Sequence, residues 1–201
     1  IEDFFNAIDT DTVVGFCDRA IFELMYAAGL RAGEVGALRL EDFNAPDGLV
    51  IVRRGKGDKD RVCPLTVIAQ RYVTAFVEKV RPLYLDRGIE SPFLFPSMHG
   101  RKLSPQQIVW RMRRHLSEAT AGSVILTPHA FRRSCATHLL KEGAPVRLIQ
   151  ELLGHEDVNT TMQYVRLDTA DLRAALEKYH PRTGFFARED VQLPAGPNHG
   201  T

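Results

Sequence analysis

Thr127-Pro128-His129-Ala130-Phe131-Arg132-Arg133 opens an apolar helical pattern, and Leu152-Leu153-Gly154-His155 and then Tyr164 follow it. Threonine before proline is a helix-start signal, because the hydroxyl caps free amides and proline tolerates the first helical position. The spacing predicts a helix from Thr127 to about Lys141, stopped by Gly143, and another opened by Pro145 and running through Leu152. His129 and Arg132 lie three positions apart on the first helix, so they share a face. His155 and Tyr164 are separated by nine positions, a turn of about 900° on one continuous helix, which puts them on opposite faces. They converge only if Gly154-His155-Glu156-Asp157 forms a loop and Tyr164 sits near the end of a short helix over 159–165.

Upstream, residues 17–28 carry Ile21, Leu24, Met25 and Ala28 in the helical period, Gly29 is a natural stop, and 32–38 restarts a helix. Arg31 thus stands at a helix-to-helix corner. Residues 49–52 and 61–65 read as short strands around Gly55-Lys56-Gly57-Asp58-Lys59-Asp60, and a strand at 42–43 completes a small antiparallel sheet. Further helices are expected over 66–80, with Pro82 at its end or at a kink, from a Ser104 cap to about 119, and over 169–179. The fold class is α+β: mainly α with a small antiparallel β-sheet.

Arg31, Lys56, His129, Arg132, His155 and Tyr164 together supply a nucleophilic hydroxyl, permanent cations and two imidazoles. A phosphodiester repels nucleophiles, and its transition state spreads negative charge over the equatorial oxygens. Arginine meets two phosphate oxygens at once and keeps its charge. A tyrosine hydroxyl with a pKa of about 10 needs a base or a cationic field to attack near neutrality. The inventory suits phosphoryl transfer on a nucleic-acid backbone with no metal and no cofactor. His155-Glu156 fails as a zinc motif, since Asn159 stands where the second histidine would be. Gly-Lys-Gly lacks the longer glycine spacing and the Ser/Thr of a P-loop.

These residues carry a resemblance. Tyr26-Ala27-Ala28-Gly29-Leu30-Arg31-Ala32-Gly33-Glu34, the Gly-Lys-Gly turn, His129-x-x-Arg132, Leu152-Leu153-Gly154-His155 and Tyr164 resemble the catalytic domain of tyrosine site-specific recombinases, the phage integrase family, with Xer-like spacing. The match runs in order from about Cys17 to Pro181. Arg133 stands where the family often has a second histidine. The resemblance implies the recombinase catalytic fold and breaking and rejoining of DNA through a 3′-phosphotyrosyl bond, without metal or ATP. It implies Tyr164 as nucleophile, Arg31 and Arg132 on the non-bridging oxygens, His155 hydrogen-bonding them, His129 as proton acceptor and Lys56 as general acid. A type IB topoisomerase-like activity, or a non-catalytic DNA-binding relative, is the alternative. The expected partners are double-stranded DNA at a recombination site and other subunits, as a homo-oligomer (a tetramer on paired sites) or a heteromer with a related recombinase.

The 201 residues, 44% hydrophobic, suffice for one substantial core. No run approaches a membrane span, and Ile1-Glu2-Asp3-Phe4-Phe5 lacks the layout of a signal peptide. The expected organisation is a catalytic domain over 1–180 and a loose tail over 181–201, without the N-terminal DNA-clamping domain usual in the family. Cys17, Cys63 and Cys135 suggest neither a zinc site nor a disulfide framework, and a cytoplasm of bacterial, phage or mobile-element origin is the simplest setting. The net charge of +1 is low for a DNA binder, but the cations cluster. Arg53, Arg54, Lys56, Lys59 and Arg61 form one group, and Arg101, Lys102, Arg111, Arg113 and Arg114 another. Arg53, Arg54, Lys59, Arg61 and Arg133 are the expected auxiliary DNA contacts. The helix over 169–179 carries Leu172, Ala175, Leu176 and Tyr179 on one stripe, and Phe185-Phe186 follow. The resemblance implies that this apolar surface serves assembly by exchange with a neighbouring subunit; the alternative is that it folds back on its own domain.

Overall fold

The computed structural model describes residues 1–53, 60–85, 88–120, 126–154, 169–182 and 191–194. Three helices, α1 (Glu2–Asn6), α2 (Val13–Ala27) and α3 (Ala32–Ala37), precede a 3-10 turn (Leu40–Asp42). Strands β1 (Phe43–Asn44), β2 (Leu49–Val52) and β3 (Arg61–Pro64) follow. Next come α4 (Val67–Ala75), a π-type turn (Phe76–Val80) and α5 (Arg81–Tyr84). The last elements are α6 (Pro105–Thr120), α7 (Pro128–Lys141), α8 (Val146–Leu153) and α9 (Thr169–Tyr179).

Local signals set most of these boundaries. Thr127 caps α7 by accepting from the Ala130 amide at 3.1 Å. Ser104 and Gln107 form a reciprocal cap on α6, with hydrogen bonds of 2.8 and 3.2 Å. α2 begins four residues earlier than its apolar period suggests, because Thr12 accepts from Gly15 at 3.0 Å and adds a turn before the periodic residues. The helix expected over 66–80 loses α register at Phe76. Pro82 lacks an amide and its ring crowds the carbonyl four residues back, so the chain widens into the π turn before resuming.

β1, β2 and β3 form an antiparallel meander, with Val50 opposite both Phe43 and Cys63. Val50 and Val52 point into the core while Leu49 and Ile51 are less covered, the alternation of a half-buried strand. The loop between β2 and β3 carries Lys56. Of its cationic positions, Arg54, Lys56 and Lys59 lie outside the described residues.

α2 is the spine of the molecule, packed against α4, the π turn and α7. Phe131 of α7 enters an aromatic cluster with Tyr26 of α2 and Phe4 of α1, ring centroids 5.2 and 5.6 Å apart. This fixes α7 to the core one residue before Arg132. α2 is buried on all faces although it carries Asp18, Arg19 and Glu23, and such burial requires each charge to be paired. Asp18 accepts from Arg111, Arg114 and His115 of α6, the last two at 2.8 Å. Glu23 accepts from Arg19 at 2.8 Å and also binds Arg182. The basic group on α6 is therefore split. Arg111 and Arg114 turn inward to Asp18, while Arg113 stays exposed.

Two features mark the C-terminal part. α9 lies against β3 and α8 of its own domain, with Leu172, Ala175 and Leu176 buried there. The packed body also runs past residue 180, because Arg182 is only 4% exposed and holds Glu23. Further on, Val191 and Leu193 lie along α4 beside Pro46. The Phe185-Phe186 pair lies outside the described residues.

Candidate functional site

Three of the sequence-selected residues line one cleft of about 710 Å³: Arg31, His129 and Arg132. Arg31 is the residue before α3, in extended conformation, and its side chain is 31% exposed. His129 stands exposed in the first turn of α7, just after the capping Thr127. Arg132 lies one turn on, 7% exposed at the cleft floor.

Arg132 joins two motifs that are far apart in sequence. Its Nη1 donates to the Gly29 carbonyl and its Nη2 to the Leu153 carbonyl. Gly29 ends the helix that precedes Arg31, and Leu153 is two residues before His155. The approach depends on glycine. Gly29 has φ +57, and a Cβ there would lie 2.3 Å from Cδ2 of Leu153. Burial, followed by the charge of Arg31, lowers the pKa of Arg132 to about 10, which leaves it cationic at neutral pH. Arg132 has no carboxylate partner among the described residues. A buried cation held by carbonyls and lacking a counter-ion is prepared for an anion.

Arg31 is positioned by Glu34. The carboxylate accepts from the Arg31 amide and from its Nη1, both at 2.8 Å. The pairing of Arg31 with Glu34 and the opening of Arg31 onto the cleft coexist. Burial would raise the Glu34 carboxyl, but hydrogen bonds from Arg61 and from the Arg31 amide outweigh it and hold the pKa below its usual value.

The expected auxiliary DNA contacts are placed unequally. Arg133 is exposed on α7. Arg53 is half exposed, with Nε 2.5 Å from Asp42 and Nη2 3.8 Å from Glu41. Arg61 is not on the surface. It turns inward at 13% exposure and spends its fork on Glu34, because β3 delivers it beneath the Arg31 corner. Lys56, His155 and Tyr164 lie outside the described residues, as do Arg54 and Lys59. One cleft residue was read only as part of a basic group and not as a site residue: Arg113, on the same face of α6 as Val109 and Pro105. Its i, i+4, i+8 relation to those residues was available as a signal, but its basic neighbours masked it. Among the described residues no group of His, Cys, Asp and Glu could hold a metal ion, and no helix is long and apolar enough to cross a membrane.

Comparison with known proteins gives a consistent family. Residues 1–171 match the model of the phage integrase family. Tyrosine recombinase XerD of Staphylococcus aureus is 40% identical over 174 residues, 87% of this chain and 58% of that protein. The chain thus spans little more than half the length of the curated relatives it matches. Among solved structures, XerA recombinase superposes with a TM-score of 0.67 at 28% identity, covering 90% of this chain and 63% of that one. A lambda integrase tetramer bound to a Holliday junction gives 0.58 at 18% identity, covering 83% and 48%.

Proposed function

The chain belongs to the phage integrase family, and on that premise we propose that it breaks and rejoins DNA at specific sites, with Tyr164 as the nucleophile. The tyrosine oxygen attacks the scissile phosphorus, forming a 3′-phosphotyrosyl bond and expelling the 5′-oxygen. Arg31 and Arg132 neutralise the non-bridging oxygens, and His155 adds a hydrogen bond to them. His129 takes the tyrosine proton and Lys56 gives one to the departing 5′-oxygen. A 5′-hydroxyl, from the same strand or a partner strand, then attacks the phosphotyrosine and reseals the backbone. The covalent bond conserves the energy of the phosphodiester, so no ATP is needed, and the guanidinium groups supply the charge that a metal ion would otherwise bring. Work on paired sites calls for several subunits, as a homotetramer or with a related recombinase.

The supporting observation is Arg132, buried in the same cleft as Arg31 and His129 with no carboxylate partner among the described residues. The test is a nicked suicide duplex incubated with the full-length protein. Wild type is expected to give a DNA adduct that survives denaturation, and Tyr164→Phe to give none while folding normally. An undiminished adduct in the variant would refute the assignment.

A further inference from the structure

Arg61 faces away from the cleft, yet its hydrogen bonds reach the residue that sets the position of Arg31. Nη1 and Nη2 donate in parallel to Oε1 and Oε2 of Glu34 at 3.0 and 2.9 Å. The same carboxylate takes the Arg31 amide and only one terminal nitrogen of Arg31, at 2.8 Å each. All four acceptor positions of the carboxylate are thereby used. One negative charge is shared between two guanidinium groups, and the fork-to-fork pairing, the stronger geometry, goes to Arg61. Nη2 of Arg31 meets no acceptor among the described residues. The stem of Arg61 lies flat under Gly154, where a Cβ would stand 3.1 Å from Arg61 Cδ and 3.3 Å from Nε. Gly154 immediately precedes His155 and has φ +63.

We propose that Arg61 is a positioning residue for the DNA cleavage reaction. It occupies Glu34 so that Arg31 is held in place by the carboxylate without being consumed by it. The inference rests on the proposed strand-cleaving activity. Without Arg61, Glu34 is a carboxylate about one-tenth exposed with Arg31 as its one ion-paired cation among the described residues. The bidentate geometry with Arg31 is then its best remaining pairing, and Arg31 is drawn off the cleft. Phosphate and carboxylate compete for the same fork, and Arg61 decides the competition for phosphate. This role differs from a direct DNA contact, since Arg61 is only 13% exposed and both of its terminal nitrogens are engaged by Glu34.

The test uses the full-length protein with Arg61→Met, which keeps the stem and removes the charge, and Arg61→Lys, which keeps the charge and removes the fork. Single-turnover cleavage of the suicide duplex at saturating DNA is expected to fall about 10²-fold in Arg61→Met, the scale of a misplaced catalytic group. Arg61→Lys should lie between that variant and wild type. DNA affinity and its salt dependence should stay near wild type. In a double-mutant cycle, adding Arg61→Met to Arg31→Ala should cost little more, because its effect passes through Arg31. Wild-type cleavage in Arg61→Met overturns the inference, as does a loss that adds fully to that of Arg31→Ala. A salt slope reduced by about one unit would instead make Arg61 a phosphate contact and equally overturn it. If wild type itself forms no adduct, the proposed function fails separately. A crystal structure of Arg61→Met then decides: both Nη atoms of Arg31 on Glu34 support the positioning role, and an unmoved Arg31 refutes it.

Discussion

Glu23, in the middle of α2, and Arg182, three residues beyond α9, form a buried ion pair across 159 positions of sequence. Nε of Arg182 approaches Oε2 of Glu23 at 3.2 Å, and the guanidinium carbon lies 4.5 Å from the centre of the Phe5 ring. The segment that follows α9 is therefore fastened to the centre of its own domain. Arg182→Ala leaves Glu23 with Arg19 alone and opens space beside Phe5. We expect a loss of about 3 kcal/mol in unfolding free energy, typical of breaking one side of a buried pair, measurable by urea denaturation. A loss below about 1 kcal/mol would show that Arg19 suffices.

The same anchor predicts how truncations behave. Ending the full-length protein after Arg182 keeps α9 and the Glu23 pair. Single-site DNA binding should survive, with loss confined to paired-site complexes and recombination if residues 183–201 act in assembly. Removing 168–201 also uncovers the apolar surface that Leu172, Ala175 and Leu176 cover, so this shorter protein should unfold or aggregate. Gel-shift assays on one and two sites, with thermal melting, separate the cases. Recombination by the protein ending at Arg182 would exclude the tail from assembly.

Stability should fall on mild acidification through His180. Its Nδ1 accepts from the Arg182 amide at 3.2 Å and its Nε2 donates to the Tyr26 carbonyl at 3.3 Å, so the neutral ring is satisfied at both nitrogens. Burial lowers its pKa from 6.5 to about 4. Above pH 6.5 the ring is neutral in both the folded and unfolded states. Between 6.5 and 4 only the unfolded chain takes a proton, so stability is lost as pH falls and the penalty levels off below 4 at about 3 kcal/mol. His138, whose pKa burial also lowers, adds a change of the same sign. Urea midpoints measured from pH 7 to 4 should show a shallower decline in His180→Gln than in wild type; identical declines would remove His180 as the cause.

Lys56 and Lys59 lie three residues apart in the β2–β3 loop, and a thiolate leaving group distinguishes them. A scissile 5′-sulfur departs without a proton, so Lys56→Ala should cleave the sulfur-bridged strand at close to wild-type rate while failing on the normal one. Lys59→Ala should weaken binding in a salt-dependent way and show no such rescue. Rescue in Lys59→Ala alone would exchange the two roles.

The helices and the sheet were legible because their signals are local. Thr127-Pro128, Ser104-Pro105 and Gly29 act through hydrogen bonds and backbone preferences spanning three or four residues, and the alternation in β2 states which side faces the core. The motif spacing likewise put Arg31, His129 and Arg132 into one set, and the structure brings these three to one cleft. What the sequence could not state is where a long charged side chain turns. Arg61 reads as a DNA-contacting cation at the start of a strand, Arg111 and Arg114 as part of a basic group, and Arg182 as tail. Each is pulled inward by a carboxylate distant in sequence: Glu34, 27 positions from Arg61; Asp18, 93 from Arg111 and 96 from Arg114; and Glu23, 159 from Arg182. A carboxylate in a packed interior must find a cation, and only the tertiary fold determines which one comes within reach. The local pattern thus determined the elements and the set of candidate residues, while three-dimensional charge pairing decided which of the described cations turn inward to a carboxylate.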